Sequence, residues 1–437
     1  MIKIQNDRLL DRIKVSYRLQ DIQAISDFLT TQGSFHFPTL ANGLFSAALL
    51  SRETEYTGYS NVWVRDNIHV AHACSILGKT NVAIKNLACL MTYFKKYRNR
   101  FENIIESKVD PAVVMERPHI RFNGQTLAEI GQKWAHAQND ALGYFLWFYC
   151  QLACEGLLNL QPEDWAMLLL FPLYFEAIRY WADEDSGHWE EARKVEASSI
   201  GTVVAGLREL QKLMIKLPVQ GDCQYPHKTV DAQFLADLIE QGTAALNRIL
   251  PWECIQPKHK RRRYDAALLF LIYPLQIVES EMANRILADT IENLQGEYGI
   301  KRYLNDSFWS ADYKTKLSPE VRTDDFSEDM SARDALVQPG EEAQWCIFDP
   351  IVSAIFGLKF QQTQCQDYFE QQTFYLNRSL GQLTGKDCRF GEFKCPELYY
   401  LEDGRYVPND VTPLLWTQAN LSIALKMMER SIETHCL

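Results

Sequence analysis

The sequence predicts an all-α fold of two concentric helical layers, a double-ring barrel. Helical periodicity dominates the chain, sustained period-2 alternation is scarce, and helices apolar on every side are mixed with helices apolar on one. With 47% hydrophobic and 23% charged residues over 437 positions, the chain can fill a large core, and it shows no polar low-complexity tract. Such a length ordinarily suggests two or three domains. Barrels, however, run long as one unit, and no composition shift marks a boundary, so residues 1 to 437 are expected to form one domain.

In chain order, marginal helical segments at 17 to 30 and 41 to 51 precede clearer ones at 66 to 78 and 81 to 100. Residues 134 to 153 run through Ala141, Tyr144, Phe145, Leu146, Trp147, Phe148 and Tyr149, apolar nearly all round, as in a helix with neighbours on every side. A segment at 164 to 182 follows. Residues 198 to 215 place Ile200, Val203, Val204, Leu207, Leu210, Leu213 and Met214 on one stripe, with Ser198 or Ser199 available as the N-cap. Further helices are expected at 228 to 249, 264 to 277, 280 to 294, 347 to 358, 365 to 380 and 412 to 431. A solenoid would repeat about every 34 to 47 residues, and no such repeat is found. Polar and aromatic stretches at 183 to 197, 296 to 346 and 381 to 411 interrupt the helices, and the long middle one reads as a functional loop excursion.

A net charge of -11 repels phosphate backbones and anionic lipid, so a neutral ligand is expected, with no nucleic acid and no membrane. The basic run Lys258 to Arg263 reads as a solvated loop. Eleven cysteines, several inside apolar helices (Cys74, Cys150, Cys154), point to a reducing compartment. No stretch resembles a signal peptide or a membrane span, and a cytoplasmic location is expected. Ala73 stands where a phosphate loop ending in Gly78-Lys79-Thr80 needs glycine. The run from Asp183 puts Gly187 and Lys194 where a calcium loop needs ligands, and no zinc spacing accompanies Cys150 and Cys154. No metal or cofactor is expected.

The residues that can carry chemistry lie at segment ends. Trp63-Val64-Arg65-Asp66-Asn67 holds an Arg-Asp pair just before a helix, able to clamp vicinal hydroxyls or simply to cap the helix. In Gly187-His188-Trp189-Glu190-Glu191 an indole stands beside a carboxyl whose pKa an apolar wall would raise, although two adjacent glutamates also suit a solvated face. Cys395-Pro396-Glu397-Leu398-Tyr399-Tyr400 places a third carboxylate in an aromatic loop before a long helix. Glycoside hydrolysis needs two carboxyls on opposite sides of the scissile bond, and Glu190 with Glu397 meets that need on paper. Trp134, Gln138, Asn139, Asp140, Arg302, Tyr303, Asp306, Trp309, Trp345 and Trp416 are candidate stacking or hydroxyl-reading groups, each equally suited to a core or rim.

Taken in order, these motifs resemble glycoside hydrolase family 15, the glucoamylase family. The likeness begins at Trp63 to Asn67, Trp134-Ala135-His136-Ala137-Gln138-Asn139-Asp140-Ala141, and Trp189-Glu190-Glu191 with Ala197-Ser198-Ser199-Ile200-Gly201. They look still more like the glucoamylase-like domain of phosphorylase kinase α and β subunits. That likeness runs on through Tyr264 to Leu269, Lys301 to Asp306, Glu342-Ala343-Gln344-Trp345, Pro396 to Tyr400 and Leu415-Trp416-Thr417-Gln418-Ala419, and spans roughly residues 40 to 430.

The resemblance implies an (α/α)6 barrel and inverting, exo-acting release of glucose from soluble α-glucosides or malto-oligosaccharides. It implies Glu190 as general acid and Glu397 as general base, with Arg65 and Asp66 on the terminal glucose. Trp63, Trp134, Gln138, Asp140, Trp189, Glu191, Arg302, Trp345 and Trp416 are then binding residues. Two other readings stay open. One is an oligosaccharide-binding or regulatory barrel that docks on an enzyme of glycogen metabolism, since the Pro-Glu-Leu-Tyr-Tyr setting resembles the kinase subunits. The other is a helical scaffold with a vestigial pocket.

Overall fold

The computed structural model describes the chain except residues 1, 50–53, 218, 220–223, 226–227, 258–259 and 436–437. Its first helices are α1 (Leu19–Thr31), α2 (Val64–Ile76), α3 (Thr80–Lys96), α4 (Asn99–Ile105), α5 (Asn139–Cys154), α6 (Pro162–Leu168), α7 (Leu170–Ala177) and α8 (Ala197–Lys216). There follow α9 (Ala232–Ile249), α10 (Leu269–Ile272), α11 (Ser280–Leu294), α12 (Tyr313–Lys316), α13 (Ser331–Asp334), α14 (Phe348–Thr363), α15 (Gln366–Gly381) and α16 (Leu415–His435). Among the described residues α2, α5, α8, α10, α14 and α16 touch in that order, and α16 closes the ring on α2. Outside it, α1 packs on α16, α3 on α2, α9 on α8, α11 on α10 and α15 on α14, while α6 and α7 bridge α3 to α9. This is the (α/α)6 barrel.

Burial follows the layers. The inner α2 buries every residue from Val64 to Ala71, and α14 every residue from Phe348 to Gly357. A helix enclosed on all sides must be apolar or have its polar groups paired within the fold. Asn67 of α2 meets that condition, accepting from the Phe45 N–H at 2.9 Å and from Asn86 Nδ2 at 2.8 Å while donating to the Phe45 carbonyl at 2.9 Å. The outer α9 buries only one stripe, Leu235, Leu238, Gly242, Ala245, Leu246 and Ile249. The inner helices α5 and α8 approach closely because both are glycine at the crossing: a Cβ on Gly143 would lie 2.7 Å from the Thr202 carbonyl carbon, and one on Gly206 2.8 Å from the Gly143 oxygen.

From α2 to α14 each inner helix is followed by an outer return, and α16 enters from the outer layer after α15, so the inner helices begin at one common end of the barrel. Two small antiparallel sheets shape that end. One orders β1 (Val62–Trp63), β2 (Arg121–Asn123) and β3 (Ala128–Glu129). The other orders β6 (Gln344–Trp345), β7 (Leu398–Glu402) and β8 (Arg405–Pro408). A third pair, β4 (Gln224–Tyr225) and β5 (Lys228–Thr229), precedes α9.

Several sequence expectations need correction. Residues 41–49 are turns and extended chain with an isolated bridge from Ala48 to Leu414, not a helix; residues 50 and 51 lie outside the described residues. The segment 164 to 182 is two helices that part at Leu169, and the helix expected from 134 starts at Asn139. The stretch 264 to 277 holds only a 3₁₀ turn at Ala266–Leu268 and the four-residue α10, because Pro274 lacks the N–H a longer helix needs. The cap position of α8 is Glu196; Ser198 lies inside the first turn and donates to Glu253 Oε1 at 2.5 Å. The excursion at 296 to 346 contains α12, α13 and β6. No helix among the described residues is long and apolar enough to cross a membrane.

Candidate active site

A cavity opens at the end where the inner helices begin, with about 790 Å³ of atom-free space counting its mouth. Of the residues singled out from sequence, Trp63, Arg65, Asp66, Trp134, Trp189 and Glu190 line it, as do Arg302, Trp345, Glu397 and Trp416. Gln138, Asp140 and Glu191 stand behind that wall and hold it. Tyr59, Phe308 and Arg333 also line the cavity, and none of them was singled out.

Arg65 and Asp66 occupy the first turn of α2 rather than the approach to it. The Val64 N–H donates to Ile120 at 2.9 Å, and β1 pairs with β2, which fixes where the helix starts. Arg65 Nη1 donates to Asp140 Oδ2 at 2.8 Å and Gln138 Oε1 at 3.0 Å, and its Nη2 lies 3.4 Å from Glu190 Oε1. Arg65 thus spends most of its donors on the protein while facing the cavity. Burial raises the Asp66 carboxyl to about 7; Arg65 opposes that shift and Glu190 adds to it.

Glu190 sits at the tip of a tight loop closed by Asp185 and Lys194, whose backbone groups exchange hydrogen bonds of 3.0 and 2.9 Å. A 3₁₀ turn at Gly187–Trp189 leads into Glu190, which has left-handed backbone angles (φ 59°, ψ 43°). A non-glycine residue held there is strained, and such strain concentrates at functional positions. Gly187 has φ +52°, and a Cβ on it would lie 1.5 Å from Glu196 Oε2. The left-handed step separates the two neighbours of Glu190. Trp189 lines the cavity with its indole N–H donated to Asp265 Oδ1 at 2.9 Å. Trp63 donates its own indole N–H to Glu190 Oε1 at 2.8 Å. Burial raises the Glu190 carboxyl above its ordinary value, opposed by Arg65, Gln138, Arg121 and Trp63.

Glu191 turns into the protein. Burial alone would raise its carboxyl, yet Arg262, Arg302, Lys194 and Arg333 surround it and bring it down to about 2. Arg262 Nη2 donates to Glu191 Oε2 at 2.9 Å and its Nη1 to Asp265 Oδ2 at 3.0 Å. Tyr303 donates its hydroxyl to Glu191 as well. The described part of the basic run is therefore not a plain solvated loop, since Arg263 pairs with Asp289 at 2.5 Å and Lys260 with Glu184 at 2.8 Å. Lys258 and His259 lie outside the described residues. Arg302, held by Asp306 through two 2.6 Å hydrogen bonds, stands 5.2 Å from the Trp189 ring centre and 4.8 Å from that of Trp345.

Glu397 directly precedes β7, not the long helix. The Cys346 N–H donates to its carbonyl at 2.9 Å, and Leu398 pairs with Trp345 across β6 and β7, which sets Trp345 beside it. Tyr59 donates its hydroxyl to Glu397 Oε1 at 3.0 Å and Asn409 its amide to Oε2 at 2.5 Å. Burial raises the Glu397 carboxyl to about 7 against those two hydrogen bonds. Tyr59 and Trp63 pack at 5.1 Å between ring centroids, so one aromatic pair binds both glutamates, one through each ring. Trp416 stacks on His69 at 4.4 Å, and the indole N–H groups of Trp134, Trp345 and Trp416 are buried without a protein acceptor. Among the described residues no group of three or more His, Cys, Asp or Glu side chains converges to hold a metal.

Trp309, offered as a stacking group, is instead wholly buried in the core. Tyr59 and Arg333 had no sequence signal: one is an isolated tyrosine ahead of β1, the other a lone arginine in a polar stretch.

Comparison with known proteins bears on this geometry. Over 302 residues the chain is 28% identical to a probable phosphorylase b kinase regulatory subunit alpha of Caenorhabditis elegans, a match covering 63% of this chain and 23% of that protein. The chain spans about a fifth to a third of the length of such curated relatives. A solved wild-type glycosidase superposes with a TM-score of 0.62 at 16% identity, covering 97% of this chain and 98% of that one. The glucoamylase of Saccharomycopsis fibuligera does so with a TM-score of 0.57 at 13% identity, covering 98% and 97%. Both share the fold. The family described as Glycosyl hydrolases family 15 matches residues 30–319, and the chain belongs to that family.

Proposed function

We propose that the chain is an exo-acting, inverting glycoside hydrolase of glucoamylase type acting on soluble α-glucosides or malto-oligosaccharides. The observation that carries this reading is the pair of buried carboxyls, Glu190 and Glu397, on the wall of one cavity and bound by the same Tyr59–Trp63 pair. Glu190 gives its proton to the glycosidic oxygen as the bond to the anomeric carbon breaks. Glu397 takes a proton from the water that attacks the opposite face of that carbon. An inverting pair leaves room for that water, with roughly 6.5–9.5 Å between carboxyls. The chemistry needs one proton on Glu190 and none on Glu397, one of the two arrangements in which the pair shares a single proton. Arg65 and Asp66 would grip the terminal glucose, and the buried indole donors would read its hydroxyls.

The test is incubation of the pure protein with maltose through maltoheptaose, followed by proton NMR. The reading expects β-glucose as first product, and loss of about 10²- to 10⁴-fold in kcat for Glu190→Gln. First-formed α-glucose would refute inversion. The kinase-subunit relatives favour a second reading, an oligosaccharide-binding or regulatory barrel that partners an enzyme of glycogen metabolism. It expects saturable binding with no release. Either reading fits a cytoplasmic protein, as nine described cysteines are unpaired and most are buried.

A further inference from the structure

Strand β2 carries a buried cation with no paired anion among the described residues. Arg121 stands opposite Trp63 in the β1–β2 register, and its guanidinium carbon lies 5.0 Å from the Trp63 ring centre and 3.9 Å from that of Trp134. The turn at Gly58 encloses it from another side, since a Cβ there would lie 2.8 Å from Arg121 Nη2. Arg121 is 6% exposed, and its Nε and Nη1 are buried without an acceptor. Glu190 and Asp325 are the carboxylates whose charge reaches it, and Asp325 Oδ1 already accepts the Ser327 N–H at 2.8 Å. By contrast, the arginines that line the cavity are each matched. Arg65 donates to Asp140, Arg302 is held by Asp306 through two hydrogen bonds, and Arg333 lies against Glu191.

A buried guanidinium without a counter-ion is costly, and two indole faces offset only part of that cost. The imbalance lasts only while Glu190 is protonated. When Glu190 gives its proton to the glycosidic oxygen and the bond to the anomeric carbon breaks, the electron pair of its O–H bond stays behind on a carboxylate. Trp63 Nε1 donates to that carboxyl at 2.8 Å, and the Trp63 ring lies on Arg121. A cation fixed in place beforehand, in a site shielded from water, favours negative charge that develops in the transition state.

We propose that Arg121 is a positioning residue for the general acid: stacked against Trp63 and Trp134, it holds the counter-charge for the Glu190 carboxylate that forms as the leaving group departs. This rests on the hydrolytic role proposed for Glu190. Glu190 is faced by Arg65 and Asp66 of α2, by Tyr59 and Trp63 ahead of that helix, by Gln138 before α5 and by Arg121 of β2. His136 feels the same Arg121 charge but is kept neutral, chiefly by burial. Removing Arg121 takes away one of the influences that lower the Glu190 carboxyl, so Glu190 keeps its proton to higher pH and becomes a weaker acid.

The Trp63 indole N–H reports on Glu190 whether or not the chain turns sugar over. Its NMR resonance, assigned by its absence in Trp63→Phe, is followed against pH, and the Glu190 transition is the one that disappears in Glu190→Gln. Arg121→Gln should move that midpoint up by about 1 pH unit, and Arg121→Lys, which keeps the charge, by less than about 0.3. Arg121→Gln should also lower kcat about three- to tenfold on maltose, whose leaving alcohol needs the proton, and less than about twofold on α-glucosyl fluoride, whose leaving fluoride needs it far less. Both rates falling together with the midpoint unmoved would mark a merely structural role and overturn the proposal. If Arg121→Gln does not fold, Arg121→Lys decides: a midpoint that stays in place supports the proposal, and one raised by about 0.5 pH unit or more overturns it. A raised midpoint in Arg121→Gln with no glucose released by the unaltered chain from either substrate supports the hold of Arg121 on Glu190 and removes the hydrolase reading. Parental rates with an unmoved midpoint remove Arg121 and leave that reading standing.

Discussion

Tyr59 illustrates how a single hydroxyl sets the chemistry of the pair. Burial pushes Glu397 to about 7, and the Tyr59 and Asn409 hydrogen bonds restrain it there. A base works only when ionised, so activity should rise as pH climbs through that value. Tyr59→Phe removes one restraint and sends the Glu397 carboxyl higher. Its kcat/KM should therefore fall about three- to tenfold more at pH 6 than at pH 8, relative to the unaltered chain. A pH–rate profile checks this, and an acidic limb that stays put or moves down would refute it. Gly187 is the second residue-scale case. A methyl there meets Glu196 Oε2 at 1.5 Å and must also adopt φ +52°. Gly187→Ala should lose about 3 kcal/mol or more of stability, read from urea midpoints, since clash and strain add. Neither residue was legible from sequence. Hydrogen bonds such as Tyr59 to Glu397, 338 positions apart, leave no local pattern, and a left-handed Glu190 is invisible until the 185–194 loop is seen closed.

At the scale of elements, the α5–α8 crossing depends on glycine in both helices. Gly143→Val inserts three carbons where the α8 backbone lies under 3 Å from a Cβ, so the helices must part. A loss of about 2–4 kcal/mol is expected, with a lowered Tm and unchanged helix content by circular dichroism; a variant as stable as the parent would show that the crossing can relax. Helices with strong periodicity were legible: the all-round apolar run through Tyr144 to Tyr149 is an inner helix, and the 280 to 294 segment is a one-sided outer one. Segments 41 to 49, the described part of 41 to 51, and 264 to 277 misled because apolar runs that fill a barrel end carry helical composition without helical backbone. Ala48 bridges Leu414, and Pro274 stops α10 after one turn. Candidate residues at segment ends converged for a topological reason: inner helices share a direction, so Arg65, Gln138, Glu190 and Trp416 near their beginnings share a cavity wall or its backing. The excursion at 296 to 346, in contrast, was legible only as a polar stretch, because the groups it meets on the barrel are single positions scattered from Tyr56 to Asp410.

For the molecule as a whole, the site is a store of unfavourable electrostatics that the barrel core must hold. Asp66, Glu196 and Glu397 are each pushed to about 7, chiefly by burial, well above the 3.8 to 4.5 of the free groups. The folded chain thus binds more protons than the unfolded chain between roughly pH 4 and 7. The stability these groups contribute is complete below pH 4 and is lost as pH rises through 7. Glu191 has the opposite sign. Held down to about 2 by its four cations, it contributes stability above pH 4.5 that is lost as pH falls toward 2. Substituting each glutamate by its amide should then give opposite results in one experiment. Glu397→Gln should be more stable than the unaltered chain by about 1–3 kcal/mol at pH 8, with little difference at pH 4.5, because it removes a carboxylate that ionises in a dry site. Glu191→Gln should be less stable at pH 8 by about 2–5 kcal/mol, since Arg262, Arg302 and Arg333 lose their shared anion. Urea midpoints at both pH values separate the two. If Glu397→Gln destabilised the chain at pH 8, its carboxylate would be stabilised in the fold rather than strained, and the raised Glu397 could not be the group whose ionisation switches activity near neutrality.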